Sequence, residues 1–184
     1  MIETIKHLGI TYPKFQSSGN AARFIIPFAQ EVCKGRGFDI GYGNPEWKFP
    51  GAIGIEQSRE CSIHGVEWPN MVRDAYHLPE SEGKVDYIFS SHNIEHLPNW
   101  SDALDYWYTV LKPGGTLFLY LPNMDQQKYW RAWHNKKHIH YLNPQILNAY
   151  MMDMCMDDKY SEVFISETDL NGSFCVMAEK ALSL

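Results

Sequence analysis

The sequence lacks the features that mark disulfide-stapled, membrane-spanning or nucleic-acid-coating proteins. Its four cysteines, Cys33, Cys61, Cys155 and Cys175, lie far apart with no C-x-x-C pair. A disulfide framework or thiolate metal site is therefore not expected, and reduced, buried thiols are. No apolar run approaches the roughly 18 residues of a membrane span. The opening MIETIKHLGITYPKF holds no apolar stretch leading to a small-residue cleavage site, so the expectation is a cytoplasmic protein with no membrane partner. Charged residues make up only 21% of the chain and the net charge is −6, which argues against nucleic acid as a partner for the whole surface. Internal repeats, low-complexity tracts and long linkers are absent as well.

What is present is ample apolar material. The chain has 184 residues, 45% of them hydrophobic and 14% aromatic, enough for one domain with a sizeable core. From Gly19 to Lys34, apolar residues recur at helical intervals around Pro27, and residues 1–35 are expected to form a helical N-terminal cap. VDYIFSS, from Val85, and TLFLYLP, from Thr116, are nearly continuous apolar runs suited to strands buried on both faces. Between them NWSDALDYWYTVLKPGG reads as a helix with a Pro-Gly-Gly stop, giving a strand–helix–strand unit. YSEVFISET and GSFCVMAEK, separated by DLN, predict an antiparallel hairpin at the C-terminus. The methionine-rich stretch from Met151 is expected to fill core or interface.

In a mostly parallel sheet, ligands bind beyond the carboxyl ends of the strands, and the chemically loaded residues fall there. The stretch DIGYGNPEWKFPGAIGIE, from Asp39 to Glu56, has glycines at 41 and 43 but no third glycine of a dinucleotide turn. Pro45 and Pro50 leave room for about one helical turn, too little to seat a pyrophosphate. Gly41 and Gly43 let a ligand approach the backbone, Glu56 ends a second strand where a carboxylate can accept both hydroxyls of a ribose, and Asp74 ends a third where it can accept from an adenine amine. Ribose, adenine and no phosphate cradle point to S-adenosylmethionine.

Together DIGYGN, IGIEQS, VRDAYHLP, VDYIFSSHNIEHLPNW and VLKPGGTLFLYLPN resemble class I S-adenosylmethionine-dependent methyltransferases, in particular a compact type-11-like group. The resemblance implies an α/β, Rossmann-like fold. It has a seven-stranded, mostly parallel sheet ending in an antiparallel hairpin, helices on both faces, and shortened helices after the first two strands. It implies a cofactor set of Asp39, Gly41, Tyr42, Gly43, Glu56, Asp74, Ala75, Ser91, His92 and Asn93, with residues 124–158 as a substrate-side insertion.

HNIEH, from His92 to His96, also satisfies the H-x-x-E-H pattern of zinc peptidases. A zinc-dependent hydrolase using His92, Glu95 and His96 is thus the alternative from another reaction class, opposed by the close following Pro98 and the strand just before. The segment from Asp125 to Leu142 carries Lys128, Arg131, Lys136 and Lys137 against Asp125, with Tyr129, Trp130 and Trp133 interleaved, as a lid receiving an anionic acceptor would. His134, His138 and His140 lack metal-ligand spacing, and no metal is expected. For a base, His92 and His96 stand first, then His134 and His138. The expected function is methyl transfer to oxygen or nitrogen of a small molecule such as a sugar, nucleotide-sugar or other anionic metabolite. A homodimer, and a non-catalytic cofactor-binding partner subunit, both stay open.

Overall fold

A computed structural model describes residues 4–7, 10–13, 21–57, 71–72, 74–79, 84–126 and 136–182. Strands β1 (Thr4–His7) and β2 (Ile10–Pro13) form an antiparallel hairpin of their own. The expected helical cap is therefore helical only in α1 (Ala22–Val32), which accommodates Pro27 in its interior. The isoleucine- and threonine-bearing segments before it favour extended backbone.

The main sheet is built from β3 (Gly37–Ile40), β4 (Ile53–Glu56), β5 (Met71–Val72), β6 (Val85–Ser91), β7 (Leu111–Pro122), β8 (Tyr160–Ile165) and β9 (Ser173–Lys180). Its seven strands run in the order β5-β4-β3-β6-β7-β9-β8. The pairs from β5 to β7 are parallel, and β9 runs antiparallel to both of its neighbours. The chain steps outward from β3 to β5, then returns to the middle as β6, so the strand order switches between β3 and β6.

Both faces are covered, and the strands read accordingly. Along β7, Leu117, Leu119 and Leu121 join a core cluster with Ala103, Leu104 and Trp107 of α2 (Trp100–Val110), while Phe118 and Tyr120 join a second cluster with Ile25 and Ala29 of α1. A strand with core on each side has no polar face to show, hence its continuous apolar sequence. Trp107 is fully buried and its Nε1 donates to Ala75 O at 2.7 Å, which satisfies the indole inside the core.

After β3 the backbone makes a single 3-10 turn, Pro45–Trp47. Asn44 caps it by accepting from Glu46 N, and Pro45 occupies the first position. The segment after β4, where a second short helix is expected, lies outside the described residues. The expected insertion at 124–158 is not all insertion. Helix α3 (Pro144–Met156) sends Leu147, Met151 and Met154 into the core under β8, while Met152 and Met156 stay exposed. No helix among the described residues is long and apolar enough to cross a membrane.

Candidate active site

At the switch in strand order a cavity of about 130 Å3 opens among Asp39, Gly41, Tyr42, Gly43, Ser91 and His92, closed by Ala22, Trp47 and Phe89. Six residues expected from the sequence thus converge. Ala22, Trp47 and Phe89 were not expected, and only the position of Trp47 between the two prolines hinted at a role.

Gly41 and Gly43 both take positive φ, +77° and +68°, the region that costs other residues most. A side chain at Gly41 would overlap Asn93, whereas at Gly43 it would meet only Trp47, 3.8 Å away. Gly43 is therefore where the backbone can lie close against a ligand.

Asp39 is the penultimate residue of β3 and is 1% exposed. Its Oδ2 accepts from Phe49 N at 2.6 Å, and its Oδ1 has no hydrogen-bond partner among the described residues. Burial pushes this carboxyl up to about 7, against the opposing pull of the Phe49 amide. Glu56 stands at the rim rather than in the cavity wall. One of its oxygens accepts from Gly43 N at 2.9 Å and the other from Gln57 N at 3.0 Å, so it also ties the glycine turn to the end of β4.

Asn93 packs on Gly41, and its Nδ2 donates to Ser90 Oγ at 3.3 Å, which in turn donates to Ile40 O at 2.8 Å. It braces the two central strands instead of lining the cavity. Asp74 is half exposed and accepts from Tyr76 N at 3.0 Å, and Ala75 is buried with its carbonyl under Trp107. Neither lines the cavity.

His92 has φ +49°, rare for a residue with a side chain. Its amide donates to Tyr120 O at 2.8 Å and its Nε2 lies 3.0 Å from Ser173 Oγ. Burial, with His138 and His96 close by, pushes the imidazole down to about 3. At neutral pH the ring is uncharged. Burial also lowers His96, and His138 is 2% exposed. His134, with Lys128, Arg131, Tyr129, Trp130 and Trp133, lies outside the described residues.

The wall behind His92 escaped the sequence reading entirely. The turn before β9 brings Asp169, Asn171 and Ser173 back to the sheet edge. There Tyr120 Oη donates to Asp169 Oδ2 at 2.7 Å and receives a bond from Asn171 Nδ2 at 2.8 Å, while Ser173 N donates to Asp169 Oδ1 at 3.1 Å.

For the zinc-peptidase pattern the structure gives a 3-10 turn at Ile94–His96, not a helix, and Glu95 is 0% exposed. A hydrolytic carboxylate must reach a water beside substrate, and this one reaches no solvent.

A sequence model for a family described as a methyltransferase domain matches residues 18–153. The chain belongs to that methyltransferase-domain family. Its fold is that of solved S-adenosylmethionine-dependent methyltransferases. Demethylmenaquinone methyltransferase of Listeria monocytogenes is 32% identical over 65 residues, which cover 35% of this chain and 27% of that protein. The chain thus matches about a quarter of the length of such curated relatives. Among solved structures, the plantazolicin methyltransferase BpumL in complex with S-adenosylhomocysteine is similar at TM-score 0.67 and 13% identity, over 90% of this chain and 84% of that one. A methyltransferase from Archaeoglobus fulgidus is similar at TM-score 0.65 and 16% identity, over 87% and 95%. At such identities the likeness is one of fold. The methyltransferase fold accounts for why the cavity sits where β3 and β6 part.

Proposed function

We propose that this methyltransferase domain binds S-adenosylmethionine at the carboxyl ends of β3, β4 and β6 and transfers its methyl group to a small-molecule acceptor. The observation that carries this reading is the convergence of Asp39, Gly41, Gly43, Ser91 and His92 on one cavity at the strand-order switch. The residues fit the cofactor. Gly43 leaves its ligand side open, and Asp39, whose buried Oδ1 has no hydrogen-bond partner among the described residues, lines the cavity. The enclosed volume falls below the roughly 300 Å3 at which whole-ligand pockets begin, so it suits the methionine end. Glu56 at the rim takes the ribose hydroxyls, and Asp74 with Ala75 flanks the adenine.

The cofactor supplies an activated methyl at a sulfonium, and the work left to the chain is alignment and exclusion of water. Ser91 and His92 are the side chains closest in sequence to where β6 meets that end. Neutral His92 orients a polar acceptor without competing for a charge.

A second cavity, about 690 Å3, lies beyond the end of β7 between Asn123, Asp125, Gln145, Asn148, Glu167 and Thr168. Its size suits an acceptor. Among the described residues its lining carries carboxylates and amides and no cation, which favours a hydroxyl- or amine-bearing acceptor. An anionic one needs Lys128 or Arg131.

Calorimetric titration with S-adenosylhomocysteine tests the proposal. The expected result is saturable binding that weakens about 10-fold or more in Glu56→Ala and is unchanged in Glu162→Ala, on the far edge strand. No binding at millimolar ligand overturns it.

A further inference from the structure

The turn after β6 holds a second constellation. Glu95 is fully buried, and neither of its carboxylate oxygens has a hydrogen-bond partner among the described residues. A buried carboxylate left unsatisfied at both oxygens is costly, and such groups in a native fold call for an explanation. Three imidazoles face one of those oxygens, Oε1: His92 Nδ1 and His96 Nε2 at 3.8 Å and His138 Nε2 at 3.9 Å. These distances are too long for hydrogen bonds, yet they converge on a common point.

The outer contacts set His96 as a ligand. The carbonyl of Lys137 can only accept, so His96 Nδ1, 2.8 Å away, carries the proton and Nε2 turns its lone pair toward Glu95. The backbone on both sides is held as well. Ile139 N and His140 N both donate to Glu95 O, at 3.0 and 3.3 Å, and His140 Nε2 lies 2.8 Å from Leu97 O.

One ligand atom each from Glu95, His96 and His138 lies within 4.8 Å of the other two. Ligands sharing an ion at 2.0–2.1 Å stand roughly 3.3 Å apart, a contraction within reach of side-chain rotation.

We propose that Glu95, His96 and His138 form a divalent-metal site, with His92 Nδ1 beside it as a fourth donor. Two or three imidazoles with one carboxylate suit zinc best among common ions. The ion neutralises the buried carboxylate and pins the segment after β7, at residues 136–140, to the turn after β6. Its role is structural, because Glu95 and His138 are buried and only His96 is partly open to solvent. Except for His92 the site uses no residue of the cofactor cavity, so its test is separate from that of methyl transfer.

Protein purified without a histidine tag is stripped with a chelator and titrated with zinc chloride by calorimetry, with thermal unfolding followed in parallel. The expected result is one zinc per chain and a higher melting temperature with zinc. His96→Ala and His138→Ala each weaken binding by more than the roughly 10–100-fold that loss of an outer-shell partner costs, whereas His77→Ala binds as the parent does. Glu95→Gln keeps the shape and loses the charge, and is expected to weaken binding likewise. No saturable zinc uptake by the parent protein overturns the site and leaves Glu95 as a neutral buried carboxyl. Uptake that survives loss of both His96 and His138 overturns it too. Because the parent stoichiometry decides the first point, a variant that fails to fold does not shelter the proposal.

Discussion

Asp39→Asn is a substitution whose effect should change with pH. The native carboxyl is buried and holds its proton up to about 7, whereas an aspartate in water has an ordinary value of 3.8. For an acid whose folded value is raised, the native state binds more protons across that interval, so stability is present below the unfolded value and is lost as pH rises through about 7. At 1.36 kcal/mol per pH unit, the interval corresponds to a loss of order 4 kcal/mol in the absence of ligand. Asparagine keeps an oxygen to accept from Phe49 N, which Asp39 Oδ2 now does at 2.6 Å, and cannot ionise. The assay is urea unfolding of both proteins at about pH 5 and about pH 8.5, with stability taken from midpoint and slope. The variant is expected to exceed the parent by about 1–2 kcal/mol at the lower pH, where part of the interval is already crossed, and by about 4 kcal/mol at the higher. Taking the difference between the two proteins cancels the contributions of Glu95, raised by burial to about 8, and His92, lowered to about 3. Parallel pH profiles, or a variant weaker than the parent at the higher pH, would refute the reasoning.

Two further substitutions test the turns that shape the cavity. Gly41→Ala places a Cβ on a backbone at φ +77° and against the Asn93 side chain, and should cost at least about 2 kcal/mol of stability in urea unfolding. It should also weaken S-adenosylhomocysteine binding in calorimetry. His92 holds φ +49°, which asparagine tolerates better than alanine, so His92→Asn should be more stable than His92→Ala by about 0.5–1 kcal/mol. Equal stabilities would show that this backbone is not held as described.

The sheet was largely legible because burial on both faces leaves a plain mark. The run TLFLYLP reads as a strand from its apolar continuity, and the structure divides its leucines and aromatics between two cores. The prolines at 45 and 50 announced a short helix after β3, and a single capped turn stands there. The N-terminal segment misled, since residues preceding α1 were read with its helical period yet pair as a hairpin. Helix α3 was folded into the expected insertion at 124–158, although the core-filling role expected of its methionines holds for Met151 and Met154. Asp74, Ala75 and Asn93 were placed by motif at the ligand, and in the described structure they make capping, core and bracing contacts outside the wall of the cavity.

Sequence alone determined the order along the chain of the main sheet's strands and of α1 and α2, and the placement of Asp39, the glycines, Glu56 and His92 near strand ends, because period, breakers and length act locally along the chain. Tertiary structure decided which of those ends meet. Only the return of β6 beside β3 puts Ser91 and His92 across from Gly41 and Gly43. Only the closing hairpin brings Asp169 and Ser173 behind His92. The partners of Glu95 were settled the same way. His92 and His96 are its neighbours in sequence, but His138 arrives from beyond β7, and it arrives by packing, which leaves no periodic mark on the residues that take part.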